Sequence, residues 1–315
     1  MDNLRSQARQ RRVHPNTALR NSELMDYFRV ARAEQVIWSH ATNSAEKLAT
    51  ALAGQCHMIE ADILMGNTST TPFLVPIMAH PPHTSSNLSF EEFALTVRAH
   101  NKSSEGGSGF AGKKKGIKLD FKSPEAVVDC LKFLRGVPFD APVWINADIW
   151  RGPGKRREKC KFDPEVFFKQ CKEYAPAGAT LSVGWTVQSS YKVLLGCGGY
   201  SMKHISRAIQ DIERAYPSVS NRPRITFPMQ AILARQTPEA GIEKLLQYGS
   251  ITLWGEARPA DMEWAVSLQG IVFIDVNEPG WKATYLVTYF LASMMAMAGM
   301  VAISIVYYRY DIGDV

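Results

Sequence analysis

Cysteine is scarce and unpatterned. The five present (Cys56, Cys130, Cys160, Cys171 and Cys197) are odd in number and form no C-x-x-C pair. That signals neither a zinc site nor a disulfide framework, and free buried thiols, at home in a reducing compartment, are the default reading. The first 30 residues lack the apolar core of a secretory signal; they are polar and basic, with Arg9, Arg11 and Arg12 clustered. There is no internal repeat and no long low-complexity tract, only a Gly/Ser/Lys-rich loop at Ser103–Lys115. Neither basic stretch, Lys113–Lys115 or Arg151–Lys161, has interleaved aromatics, so the signal for nucleic acid is weak.

What is present suits a globular enzyme-sized unit. With 315 residues, 46% of them hydrophobic and 21% charged, the chain can bury a large core, either as two domains or as one α/β barrel. A net charge of +6 and a pI near 9.0 favour an anionic partner: phosphate, membrane surface or nucleic acid.

Along the chain, β-rich apolar runs alternate with amphipathic segments. The runs predict strands at 35–41, 58–64, 116–122, 142–149, 180–187, 224–231, 250–254 and 270–276. Helices are predicted at 125–134, 164–174, 201–215 and 238–248, with Ser123 and Asp163 as N-caps ahead of Pro124 and Pro164. Eight such alternations predict a (β/α)8 TIM barrel over residues 34–280, behind a basic extension at 1–33. Residues 72–80 form an extra arm after the second strand. Catalytic groups then belong at the C-terminal ends of the strands.

The chemistry concentrates between Ile37 and His80. Residues two apart on a strand share a face, so Glu60 and Asp62 point together while Ile59, Ala61 and Ile63 point away. Two carboxylates at that spacing are costly to bury, and a hard divalent cation such as Mg²⁺ or Ca²⁺ relieves the cost. His40 and His80 bring groups that exchange protons near neutrality. On the third strand Lys118, Asp120 and Lys122 alternate onto one face, an acid between two candidate phosphate holders. Asn43, Asn146, Asp148, Trp185, Gln230 and Glu256, on or near strand ends, are candidates for the pocket lining. The stretch 151–161 follows the fourth strand and hangs at the rim. It is first a solvated loop, and there it can also draw in a phosphate-bearing small molecule or a lipid headgroup.

This order of motifs resembles the phospholipase C-like phosphodiesterase superfamily, which includes the glycerophosphodiester phosphodiesterases. The resemblance implies a divalent cation on Glu60, Asp62 and Asp120, with His40 and His80 as acid and base and Lys122 on the phosphate. The strings W-S-H-A-T-N-S, M-I-E-A-D-I-L, P-I-M-A-H-P-P, G-I-K-L-D-F-K, W-I-N-A-D-I, L-S-V-G-W-T and I-T-F-P-M-Q-A are more similar still to the FAM151/menorin family. His40 is followed by Ala-Thr and His80 by Pro-Pro, departures from the enzyme branch that bear on substrate choice. The family implies two functions: a metal-dependent phosphodiesterase, or a non-catalytic interaction module, with protein partners, acting in neuronal morphogenesis.

From Ala283 to Tyr308 the sequence holds no charged residue. That length predicts a C-terminal transmembrane helix with the barrel facing the cytosol; the alternative is the eighth barrel helix. The family resemblance points instead to secretion. Three N-x-S/T sequons, at Asn67, Asn87 and Asn101, bear on that choice.

Overall fold

The computed structural model describes residues 24–104, 113–154, 160–187 and 198–276. A 3-10 turn at Ala33–Gln35 leads into β1 (Trp38–Ser39), α1 (Ala45–Ala53), β2 (Met58–Thr68), β3 (Val75–Met78), β4 (Ser85–Ser86) and α2 (Phe90–Ser103). Then follow β5 (Gly116–Phe121), α3 (Ala126–Gly136), β6 (Val143–Arg151), α4 (Pro164–Tyr174), β7 (Thr180–Thr186) and α5 (Met202–Ala215). The last described elements are β8 (Arg224–Gln230), α6 (Ala231–Arg235), α7 (Glu239–Tyr248), β9 (Ser250–Trp254), α8 (Pro259–Ser267) and β10 (Val272–Asp275).

Eight strands run in the order β1-β2-β5-β6-β7-β8-β9-β10, every neighbouring pair parallel, and curl into a nearly closed TIM-like barrel. The arm strand β3 pairs antiparallel with β2, and β4 parallel with its far end. Alternation sorts the side chains. Ile59, Ala61, Ile63, Leu119, Ile145, Val183, Phe227 and Leu253 face the helices and build the main core. Inside the barrel, Met58, Trp144 and Phe273 form a floor, plugged from below by Leu24, Ala33 and Val36. Above that floor the interior departs from the usual branched aliphatic filling. Glu60, Lys118, Asn146, Ser182, Thr226, Thr252 and Asp275 are all buried there.

Some boundaries differ from the sequence-based expectation for local reasons. The first strand is only two residues long, because Ala33–Gln35 closes a turn in which Gln35 accepts from the Arg32 N–H. β2 runs on to Thr68 because the arm pairs with it. Asp163 caps α4, as its sequence predicts, accepting from the Glu165 and Val166 N–H groups. Ser123 does not cap α3; its hydroxyl accepts from Met65 N–H instead. The apolar stretch 283–308, span or eighth helix, lies outside the described residues. Among those described, no helix is long and apolar enough to cross a membrane.

The sequons are not equivalent. Asn67 and Asn87 are exposed, whereas Asn101 is fully buried. Its side-chain oxygen accepts from Lys115 N–H at 2.7 Å, and its amide donates to Lys115 O at 2.8 Å. Asn101 therefore cannot accept a glycan in the folded chain. Replacing it by Ala leaves two backbone groups unpaired in the core, and urea unfolding is expected to show a loss of about 1–3 kcal/mol. An unchanged midpoint would show that water replaces the amide there.

Candidate metal centre

The site is built where β2, β5 and β6 reach the mouth. β2 carries Glu60 and Asp62 on its inward face; β5 carries Lys118 and Asp120, with Lys122 one residue past its end. One oxygen from each of Glu60, Asp62 and Asp120 lies within 4.8 Å of the others. Asp120 Oδ1 is buried and has no hydrogen-bond partner among the described residues. A buried carboxylate oxygen left bare beside two further carboxylates is a natural cation ligand, so the donor set fits one hard divalent ion.

Each acid is fixed by what surrounds it. Asn43 grips Asp62 twice, donating to Oδ2 at 2.7 Å and accepting from the Asp62 N–H at 2.8 Å. Glu60 Oε2 accepts from Ala41 N–H at 2.7 Å. That contact needs the chain to turn sharply after His40, and Ala41 takes φ +50°, a left-handed conformation that costs energy for a residue with a Cβ. Lys122 Nζ donates to Asp120 Oδ2 at 2.6 Å and lies 3.2 Å from Asp62 Oδ1. Burial works against its charge, but Asp120, Asp62 and Asp148 together hold its pKa above the ordinary lysine value.

On the other side of Glu60 lies a fifth acid, outside the motifs between Ile37 and Lys122. Asp275, at the end of β10 and fully buried, accepts from Lys118 Nζ at 2.7 Å and from His40 Nδ1 at 3.0 Å. His40 Nδ1 is also 3.4 Å from Glu60 Oε2. Burial opposes protonation of this imidazole, yet Glu60 and Asp275 raise it to about 9. Burial pushes Glu60 up to about 7 against the pull of His40, and pushes Asp148 up to about 7 with help from Asp120. Asp275 stays below the carboxylate range because Lys118 and His40 outweigh its burial. With all five acids ionised, Lys118, Lys122 and protonated His40 leave two negative charges uncompensated. That shortfall equals the charge of one divalent cation.

A cleft of about 420 Å³ opens above these groups, lined by His80, Lys118, Asp120, Lys122, Asn146, Asp148, Lys161, Phe162 and Trp254 among others. His80 is exposed on its lip, its Nδ1 donating to Pro81 O at 2.6 Å. Of the remaining pocket candidates, Asn146 accepts from Ser182 Oγ at 2.5 Å and faces the cleft. Asn43 sits on Asp62. Trp185 does not line the cleft: it is on the helix-facing side of β7, packed among Trp150, Tyr200 and Phe227. Gln230 is buried at the end of β8, where its N–H donates to Tyr200 Oη, and Glu256 is exposed beyond β9; neither lines the cleft. Lys161 comes from the basic stretch 151–161 expected at the rim, and Phe162, Trp254 and Asp275 are the additions. For Asp275 the signal was available, since Phe273 and Asp275 alternate inward in V-F-I-D.

Lys118→Met would strand Asp275 in the barrel with one partner fewer, and a loss of roughly 3–5 kcal/mol is expected in chemical denaturation; a loss below 1 kcal/mol would mean the buried pair is not needed. The acid shifts also give a pH dependence. Glu60 and Asp148 hold protons in the folded chain that the unfolded chain has released above about pH 4, and His40 keeps one above its unfolded value of about 6.5. Each contributes stability that disappears as pH rises, through about 7 for the two acids and about 9 for His40. Asp275 acts in the opposite sense, but only below its unfolded value of about 4. In chelator, the melting temperature is therefore expected to be higher at pH 5.5 than at pH 9. A flat or rising profile would contradict this arrangement.

Residues 33–277 match the Menorin N-terminal domain. Over 242 residues the chain is 31% identical to human Protein FAM151B, covering 75% of this chain and 76% of the human one. The matched span opens at the 3-10 turn under β1 and closes two residues past β10, and the chain belongs to the FAM151/menorin family.

Proposed function

We propose that this barrel cleaves a phosphodiester with the help of one divalent cation, Mg²⁺ or Ca²⁺, as barrels of the phospholipase C-like phosphodiesterase type do. The observation that carries the reading is the convergence of three carboxylates within 4.8 Å, one with a bare buried oxygen, with His40 against Glu60 and His80 on the lip of the cleft above. Glu60, Asp62 and Asp120 would hold the cation. When bound, it supplies charge neutralisation at the phosphoryl oxygens.

The protein groups divide the remaining work. Pro81 O can only accept, so His80 Nδ1 carries a proton, which leaves Nε2 as the atom that would take a proton from an attacking hydroxyl or water. His40 is held protonated between Asp275 and Glu60, so its Nε2 can give a proton to the leaving oxygen as the old P–O bond breaks. Asp275 acts as a positioning residue, fixing the His40 ring through Nδ1 as the carboxylate does in a catalytic triad. Lys122 and Lys161 offer cations to the phosphate from the cleft wall.

The test is a phosphodiester screen on the full chain with Mg²⁺ or Ca²⁺, beside a chelated control. Glu60→Gln and Asp62→Asn are expected to abolish metal-dependent turnover while far-UV dichroism stays unchanged. Asn43→Ala, which frees Asp62, is expected to weaken metal binding by about 10–100-fold in calorimetry. Turnover that survives both carboxylate substitutions would sink the assignment. Metal binding without turnover on any phosphodiester would leave the interaction-module reading.

A further inference from the structure

The seventeen residues between Asp62 and His80 carry no charge. Within them β2 keeps its pairing with β5 only as far as Ile63, opposite Phe121, and then runs on for five more residues to Thr68. β3 returns antiparallel, from Val75 opposite Gly66 to Met78 opposite Ile63. Because β2 points towards the mouth, this hairpin projects past the rim. At about 3.3 Å per residue its tip stands roughly 15–20 Å beyond Asp62. Thr71 N–H closes the tip on Thr68 Oγ1 at 3.0 Å.

The returning side of the tip carries Phe73 and Leu74, 75% and 68% exposed. Among the described residues they are the two most exposed large apolar side chains, and they are consecutive. Neither belongs to a hydrophobic cluster among the described residues. Further down the same strand, Ile77 packs with Leu64 and Ala79, so the hairpin is already anchored without its tip. The same rim carries exposed cations: Arg151 ends β6, and Lys161 stands at the cleft wall.

Two side chains on a narrow tip offer far too little surface for a stable protein interface, which buries about 1,200–2,000 Å². A lipid surface asks for less: a few apolar side chains without charges to desolvate, beside cations that meet anionic headgroups. We propose that the β2–β3 hairpin is an interfacial anchor, with Phe73 and Leu74 entering an anionic lipid layer and Arg151 and Lys161 resting against its headgroups. The cleft then opens onto the membrane, and its phosphodiester is that of a lipid headgroup. Only this last step rests on the phosphodiesterase reading.

The test uses the full chain with an environment-sensitive fluorophore on Leu74→Cys, in a background of Cys160→Ser and Cys197→Ser. A second label on Val219→Cys, between α5 and β8 at the other end of the barrel, is the control. On vesicles of phosphatidylcholine with phosphatidylserine, emission at position 74 is expected to brighten and shift to the blue while position 219 stays unchanged. The reading concerns the tip alone, whichever other part of the chain binds lipid. Phe73→Ser with Leu74→Ser is expected to weaken vesicle partition at least about tenfold. Glu60→Gln is expected to dock like the wild type, so docking and turnover can fail separately. Unchanged emission at position 74 on these vesicles overturns the anchor. So does a change that depends on protein concentration without vesicles, which would assign the tip to a second copy of the chain.

Discussion

Five carboxylates inside one barrel are the constraint on which the rest of the structure depends. Each loses its hydration on folding, and the interior returns that loss only through nearby cations and donors. Lys118 reaches across the barrel to Asp275, Lys122 spans Asp120 and Asp62, and His40 stands between Asp275 and Glu60. Ala41 accepts a left-handed backbone so that its N–H meets Glu60. The aliphatic layers that usually fill such a barrel are pushed outward onto the helices and downward into the Met58, Trp144 and Phe273 floor. With every acid ionised the balance is two charges short, and burial pushes two of those acids, Glu60 and Asp148, up to about 7.

The contacts that orient His40 also close the barrel. β1 is two residues long and pairs with β2, and among the described residues no backbone ladder joins it to β10. The seam is crossed instead by His40 and Asp275, and by Ala33 and Val36 packing under Phe273. A histidine oriented by the barrel's closing contact is held more rigidly than one on a free loop, as a proton-transfer group requires. The arm works in parallel: Ala79 N–H donates to Asp62 O at 3.0 Å, tying the strand before His80 to the strand that carries the acids.

Much of this was legible in the sequence because it follows from period two. Alternation alone puts Glu60 with Asp62, Lys118 with Asp120, and Asn146 with Asp148 on one face, and their position at the ends of apolar runs puts them at the mouth. Trp185 stood among the pocket candidates only for its place near a strand end, which says nothing of the face. It lies one residue out of phase with Ser182 and Gly184 and so faces the helices. Ser123 misled for another reason: a hydroxyl ahead of a helix can cap it or serve a neighbouring strand, and Met65 N–H was the unpaired donor within reach.

Sequence by itself determined the barrel class, the family strings and the inward set on each strand, because these depend on residue type and local periodicity. Tertiary structure alone decided which inward residues meet. Asp275 lies 235 positions from His40 and 157 from Lys118, and its partnership exists only because the last strand curls back beside the first. Nothing in its sequon separates Asn101 from Asn67 and Asn87; burial against Lys115 does. The exposure of Phe73 and Leu74 was likewise hidden, since a run of apolar residues reads as core until the register shows that β2 has outrun its neighbour. Local chemistry is written along the chain, whereas proximity across the barrel is a property of its closure.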